Sequence, residues 1–171
     1  MSLLPRKYKR RNPLLLDNKP FLVPFKSFHV EYMELREYDK IVFFSLPNNY
    51  RELLAYERSG YSWTGVVNGQ IIGSGGVCKL WEGTACCWLI TTPLIEKYPK
   101  FLHRTVINVL RNAIKTLDLH RIETTILTGH IVSQRWARRL GFEEEGLMRK
   151  LDSKQNNYYR YAWVREDEKP L

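Results

Sequence analysis

Cysteine is scarce in this sequence and is not arranged in pairs. The 171 residues include three cysteines, Cys78, Cys86 and Cys87, with no C-x-x-C spacing. We predict neither a disulfide framework nor a metal site, because both need paired or clustered ligands. The favoured interpretation is buried thiols in a reducing compartment, and a nucleophilic role for one of them is the alternative.

Long apolar runs are also missing. No stretch reaches the roughly 18 apolar residues that a membrane-spanning helix requires. The run Leu14-Leu15-Leu16 is too short for the apolar region of a signal peptide. We therefore expect no membrane association and a cytoplasmic location.

The formal net charge of +9 is concentrated at the N-terminus. Proline interrupts any helix there, so we predict a basic arm over residues 1–20 and one domain over residues 21–171. Two interpretations of the arm stay open: a solvated segment, or a segment that binds nucleic acid non-specifically or an acidic partner. Its single aromatic residue is Tyr8, so such nucleic-acid binding would be salt-sensitive and indifferent to sequence.

Hydrophobic periodicity predicts alternating helices and strands. Asn68-Gly69 is a strong hairpin signal, and apolar residues recur at helical spacing between Leu102 and Leu117. A strand, a helix and a further strand imply a right-handed crossover, so strands 84–92 and 121–128 should be parallel neighbours. The predicted strands are 28–35, 62–67, 70–80, 84–92, 121–128, 142–151 and 158–165, and the predicted helices are 38–46, 50–58, 100–117 and 131–140.

The most specific segment is Ser133-Gln-Arg-Trp-Ala-Arg-Arg-Leu-Gly-Phe142, followed by Glu145-Gly146 and Arg149. With the order of elements before it, this segment resembles the GNAT (GCN5-related N-acetyltransferase) family, in particular enzymes that modify ribosomal-protein N-termini. The resemblance covers residues 32–165. It implies an α/β (α+β) fold with a mixed, mostly antiparallel twisted sheet of about seven strands, a parallel central pair, and helices on both faces.

The resemblance also implies a function. The expected activity is acyl-CoA-dependent transfer of an acetyl group to an amine of a protein or small molecule, with acetyl-CoA as donor. The cofactor site would lie where the two parallel strands part, at residues 91–93. By position, the backbone of Ile90, Thr91 and Thr92 would hold the pantetheine arm. The phosphates would lie at the start of the next helix, near Lys97, Lys100, Phe101, Leu102, His103 and Arg104.

The phosphate-binding segment departs from the family pattern. Residues 96–104 contain no glycine, whereas typical members have R/Q-x-x-G-x-G/A. Either basic side chains replace the backbone contacts, or the pocket no longer binds CoA. The second interpretation leads to the alternative function, a non-catalytic GNAT-like structural protein. The layout around Cys86 is also similar to an internal virion protein of short-tailed phages, and a phage-encoded chain would then be located in the virion.

The catalytic residues depart from the pattern as well. Many members have a tyrosine at the position of Ala137 and an asparagine at that of His130, whereas Ser133 matches the ribosomal-protein branch. His130 is a candidate base or a capping residue, and Ser133 either contacts the CoA sulfur region or lies on the helix surface. Glu82 is a second candidate base in a turn, where solvated residues are common. The aromatic C-terminal strands either pair between two copies as a homodimer or bury half of their rings.

Overall fold

The computed structural model describes residues 19–45 and 49–166. The bounds of the strands are Phe21–Pro24 (β1), Ser62–Val67 (β2), Gln70–Trp81 (β3), Thr84–Thr91 (β4), Arg121–Leu127 (β5), Glu143–Met148 (β6) and Tyr158–Val164 (β7). The α-helices are Glu37–Ser45 (α1), Asn49–Arg58 (α2), Pro99–Thr116 (α3) and Ile131–Arg139 (α4), with 3₁₀ helices at Ser27–Tyr32 and Pro93–Lys97. Most of the predicted arm, residues 1–18, lies outside the described residues.

The seven strands form one sheet in the order β1-β2-β3-β4-β5-β7-β6. Every neighbouring pair is antiparallel except β4 and β5, which are parallel. This confirms the predicted fold class, including the parallel central pair. In the described residues, no helix is both long enough and apolar enough to span a bilayer.

Helices cover both faces of the sheet. On one face, α3 and α4 bury a cluster that includes Leu110, Ala137, Ile122 and Tyr161. On the other face, Leu53 of α2 packs with residues of the first 3₁₀ helix against Ile90 of β4. Of the four aromatic residues of β7, Tyr158, Tyr161 and Trp163 are buried and Tyr159 is half-buried, which is more than the half that was expected, and the homodimer stays a prediction.

The predicted first strand, 28–35, is wrong. Residues 27–32 form a 3₁₀ helix, and the first strand is β1, seven residues earlier. The alternation had placed Phe28 and Tyr32 inward, but they are 52% and 76% exposed. Val30 and Leu35, which the alternation also places inward, are buried, and so is Met33, three residues after Val30, a spacing that fits a 3₁₀ turn.

Gly76 of β3 marks the closest approach between β3 and β2. A Cβ at this position would come within 2.5 Å of the Ser62 Cα atom and closer still to the Tyr61 carbonyl oxygen. Ser62 belongs to β2, and the Tyr61 carbonyl accepts a hydrogen bond from the Val77 N–H (3.0 Å), so neither can move aside without breaking hydrogen bonds between the two segments.

We expect Gly76→Ala to lower the free energy of unfolding by about 3 kcal/mol or more, because overpacking against backbone has no inexpensive relaxation. Gly129→Ala is the matched control: the nearest atom to its added Cβ is 3.7 Å away, on Tyr38. We expect it to change stability by less than about 1 kcal/mol. Urea unfolding of both variants measures the difference, and equal values would contradict the close approach.

Candidate active site

The parallel strands β4 and β5 pair over only three residues each. The paired residues are Thr84 with Arg121, Ala85 with Ile122, and Cys86 with Glu123. Beyond them, β4 stays paired with β3 as far as Thr91, and β5 stays paired with β7 as far as Leu127. A wedge therefore opens between residues 87–91 and 124–127. The strands had been predicted to part at residues 91–93, so the wedge starts several residues earlier than expected.

The backbone of β4 faces this wedge at alternate residues. The Thr91 carbonyl accepts a hydrogen bond from the Arg36 N–H (3.1 Å), so Thr91 faces away from β3. Because hydrogen bonding alternates along an antiparallel strand, Leu89 also directs its N–H and C=O away from β3, into the wedge. Ile90 faces β3, opposite Ser74. Leu89 was not among the predicted contacts, because the register that sets this alternation was unknown from the sequence.

Two of the predicted backbone contacts already have partners within the chain. The Thr92 N–H donates to the Ile72 carbonyl (3.0 Å), and its hydroxyl donates to the Ile71 carbonyl (2.9 Å). The Thr91 hydroxyl donates to the Asp39 carboxylate (2.9 Å). Cofactor contacts at Ile90, Thr91 and Thr92 remain predictions, and those at Thr91 require its bonds to Arg36 and Asp39 to be released.

The start of α3 offers few free amides. Pro99 is the first helical residue and has no N–H, while the Leu102 N–H donates to the Tyr98 carbonyl (3.1 Å). Lys100 and Phe101 therefore supply the free N–H groups of the first turn. The Tyr98, Phe101 and Leu102 side chains pack with Val67 of β2 and Ile72 of β3. The two rings therefore lie against β2 and β3 rather than between β4 and β5.

Positive charge is concentrated on the face of the sheet that carries α3 and α4. These two helices together contain seven Lys and Arg residues and no Asp or Glu. Helices α1 and α2 together contain three Lys and Arg residues and four Asp and Glu residues. Near the wedge, Lys97, Lys100 and Arg104 are exposed and form no ion pair among the described residues. This asymmetry favours an anion on the α3 side and a cation on the other.

His130 and Ser133 meet at the end of β5. The His130 Nε2 atom is 3.2 Å from Ser133 Oγ and 3.5 Å from Arg36 Nη2. Arginine can only donate, so Nε2 is the unprotonated ring nitrogen. Burial lowers the pKa of His130, and the charge of Arg36 lowers it further. His130 is therefore neutral at pH 7, with an acceptor nitrogen at the carboxyl end of a central strand.

Helix α1 holds this arrangement from the opposite side of the sheet. The Tyr38 ring stacks on the His130 ring, with centroids 4.4 Å apart and an interplanar angle of 10°. Burial raises the pKa of Asp39, and its bond with Thr91 opposes that shift. Arg36, Tyr38 and Asp39 were missed by sequence reasoning, because nothing in their local pattern links them to residues 52 to 94 positions away.

Other predicted residues lie in different surroundings. His103 accepts a hydrogen bond from the Trp136 indole N–H (3.3 Å), which links the start of α3 to α4. Glu82 pairs with Lys79 (2.8 Å) at the β3–β4 turn, the opposite end of β4 from Thr91, so it is not a base for this wedge. Burial raises the pKa of Cys87 to about 12. That argues against Cys87 as a nucleophile.

Comparison with known proteins identifies the fold. No protein-family model matches the sequence, and no curated protein matches it. Solved structures do match. A GNAT-family acetyltransferase from Bacillus anthracis is 19% identical with a TM-score of 0.61, covering 87% of this chain and 97% of that one.

Two further solved structures are similar. Ribosomal-protein-alanine N-acetyltransferase from Brucella melitensis is 14% identical with a TM-score of 0.62, covering 85% of this chain and 99% of that one. The structure of yncA from Salmonella typhimurium, with its cofactor acetyl-CoA, is 16% identical with a TM-score of 0.64; the coverage is 90% and 98%. The chain has the GNAT fold, and these neighbours are acetyltransferases rather than virion proteins.

We expect a pH-dependent contribution of His130 to stability. Because its pKa is lowered in the folded state, the neutral ring is favoured there, and this contribution is complete above the usual value of about 6.5. It is lost as pH falls from that value through the folded pKa. Urea unfolding between pH 7.5 and about 5 should therefore show a steeper loss for the wild type than for His130→Gln. Parallel curves for the two proteins would contradict the assignment.

Proposed function

We propose that this protein is an acyl-CoA-dependent N-acetyltransferase that transfers an acetyl group to an amine. The observation that carries the proposal is the early parting of β4 and β5 beside the basic start of α3. The acetyl-CoA complex of a similar fold supports the choice of donor. The acceptor is an amine of a protein or of a small molecule.

The residues around the wedge fit an acyl-CoA. Leu89 offers one backbone donor and one acceptor, as a pantetheine amide requires. Lys100 and Phe101 offer free N–H groups to a pyrophosphate. Since two amides are fewer than a glycine-rich loop provides, the side chains of Lys97, Lys100 and Arg104 supply the remaining phosphate contacts.

The catalytic work of the chain is modest. When bound, acetyl-CoA supplies an acetyl group that is already activated as a thioester. The Leu89 N–H is a donor that can polarise a carbonyl in the wedge. His130 Nε2 accepts the proton of the attacking amine, either directly or through the Ser133 hydroxyl, and that hydroxyl can return a proton to the leaving thiolate.

The difference in charge between the two faces of the sheet suggests the face from which each substrate enters the wedge. The anionic cofactor approaches from the α3 and α4 side, which has no acidic residue in either helix. The acceptor amine, a cation before it loses its proton, approaches from the side of α1 and α2. Burial, together with the charge of Arg36, lowers the pKa of His130 and so favours the unprotonated ring that a base needs.

One alternative is a non-catalytic protein with the same fold. Pro99 at the start of α3 and the bonds of Arg36 and Asp39 to Thr91 favour it, since they use groups that a cofactor would contact. This alternative predicts no binding of acetyl-CoA. Detection of the protein in purified virus particles would support this alternative further.

Binding of acetyl-CoA is the direct test. Calorimetry should give one site per chain, and Lys100→Ala with Arg104→Ala should weaken it at least about tenfold, because charged hydrogen bonds contribute about 1.5–3 kcal/mol each before solvent screening. Lys115→Ala is the matched control, since Lys115 is exposed in the last turn of the same helix. Absence of heat with the wild type would leave the alternative standing.

Turnover tests the roles of His130 and Ser133. We expect His130→Gln to lower kcat about a hundredfold or more with an accepted amine, since a positioned base contributes about that much. Ser133→Ala should lower kcat as well, and neither change should alter acetyl-CoA affinity more than about threefold. The rate of acetyl transfer is measured as release of the CoA thiol, with polyamines and peptides with free N-termini as the acceptor amines. His120→Gln is the control, and unchanged kcat in His130→Gln would remove the base from the mechanism.

A further inference from the structure

Two of the three cysteines face each other across the sheet. Cys78 of β3 and Cys86 of β4 are directly opposite in the register of these antiparallel strands. Cys86 faces β3 as Ile90 does, so this is a hydrogen-bonded pair, whose Cα atoms are about 5.5 Å apart, within the range of about 4.4–6.8 Å that disulfides bridge. The Cys78 thiol donates a hydrogen bond to the Lys79 carbonyl (3.9 Å), and each of the two thiols affects the pKa of the other. The pair was invisible in the sequence, where eight positions separate the cysteines.

Cys87 has the opposite orientation. It packs with the cluster beneath α3 and α4, whereas Cys86 points to the α2 face of the sheet, near Tyr56 and Glu52. Cys87 therefore has no access to Cys78. It provides an internal control for every experiment on the pair.

A surface hollow of roughly 480 Å³ leads to Cys78. It forms because β3 continues past Gly76, where its pairing with Ser62 of β2 ends. Arg58 and Lys79 also line the hollow. Lys79 pairs with Glu82 (2.8 Å), whereas Arg58 is exposed and forms no ion pair among the described residues. A half-buried thiol thus shares a cavity with an uncompensated guanidinium.

We propose that Cys78 and Cys86 form a reversible dithiol–disulfide pair that exchanges with small anionic disulfides of the glutathione class. The hollow admits the disulfide, and Arg58 binds one of its carboxylates. The proposal is independent of acetyl transfer, since none of these residues lines the wedge at residues 87–91.

The exchange is balanced in two steps. The Cys78 thiolate attacks one sulfur of the incoming disulfide, which gives a mixed disulfide and releases one small thiolate. The Cys86 sulfur then attacks Cys78, which closes the internal disulfide and releases the second small thiol. Two protein thiols are oxidised and one small disulfide is reduced to two thiols, which take up the two protons.

The environment makes this exchange slow at neutral pH and easily reversed. Burial raises the pKa of both thiols, that of Cys86 to about 12, so the rate rises with pH. Opposite residues have Cβ atoms about 4.5–5.5 Å apart, but a disulfide needs about 3.5–4.5 Å. Closing the bond draws the strands together, and such strain makes a disulfide more reducible. The titratable and charged groups facing the pair are Glu52, Tyr56 and Glu123, with Arg58 and Lys79 at the hollow.

Mass spectrometry after incubation of the full chain with oxidised glutathione tests the proposal. The wild type and Cys87→Ser should each lose two hydrogen masses, with Cys78 and Cys86 joined in the peptide map. The reaction of Cys86→Ser should end at a mixed disulfide with one glutathionyl group on Cys78. Cys78→Ser should form neither the internal disulfide nor a mixed disulfide at a comparable rate. Dithiothreitol should reverse the wild-type change. Cys78→Ala provides a second variant if the serine variant unfolds, as thermal circular dichroism will show.

The role of Arg58 is tested with two disulfides of different charge. We expect Arg58→Gln to slow the reaction with oxidised glutathione about two- to fivefold, the usual size of an exposed charge contact. It should leave the reaction with neutral 2-hydroxyethyl disulfide unchanged. An unmodified wild type, a product on Cys87, or a stable mixed disulfide in the wild type would each overturn the dithiol pair. Equal slowing with both disulfides would overturn the anionic selectivity.

Discussion

The limited pairing of β4 with β5 is the constraint on which the candidate site depends. Three residue pairs hold the two strands together, and each strand then follows its outer neighbour, β3 or β7. Because a sheet buries its apolar faces against other elements, both halves of the opened sheet need a covering layer of helices. The α3–α4 layer and the α1–α2 layer provide this cover on opposite faces.

The first helix joins these layers at the wedge. Arg36 and Asp39 bind Thr91 at the end of β4, while Arg36 and Tyr38 contact His130 beyond the end of β5. One short helix start therefore fixes both strand ends. Any ligand that uses the Thr91 backbone must displace these bonds, which couples occupancy of the wedge to the position of α1.

The glycine-free start of α3 has a consistent physical explanation. A glycine-rich loop lets backbone amides approach phosphates closely, but Pro99 and the Leu102–Tyr98 bond leave only two amides here. In the function proposed above, the exposed side chains of Lys97, Lys100 and Arg104 offset that loss at the same place. Binding through flexible side chains is less geometrically specific than binding through backbone amides, so its dependence on salt should be stronger.

The sequence by itself determined the order of elements and the fold. The helical spacing from Leu102 to Leu117, the Asn68-Gly69 turn and the Leu-Gly-Phe run at 140–142 are local signals, and each corresponds to the observed element. It also determined that His130 follows β5 and that Ser133 lies one turn into α4. Local patterns carry this information because helices and strands have fixed periods.

Only the tertiary structure decided which residues meet. The alternation rule failed at residues 28–35 because burial against α2 and β4 favoured a 3₁₀ turn over a strand. The register of β3 with β4 places Cys78 opposite Cys86 and directs the backbone of Leu89 into the wedge. It also pairs the Thr92 N–H with the Ile72 carbonyl. Arg36, Tyr38 and Asp39 reach the site from far away in the chain. Contacts of this kind depend on strand register and layer packing, which a single sequence does not encode in any local pattern.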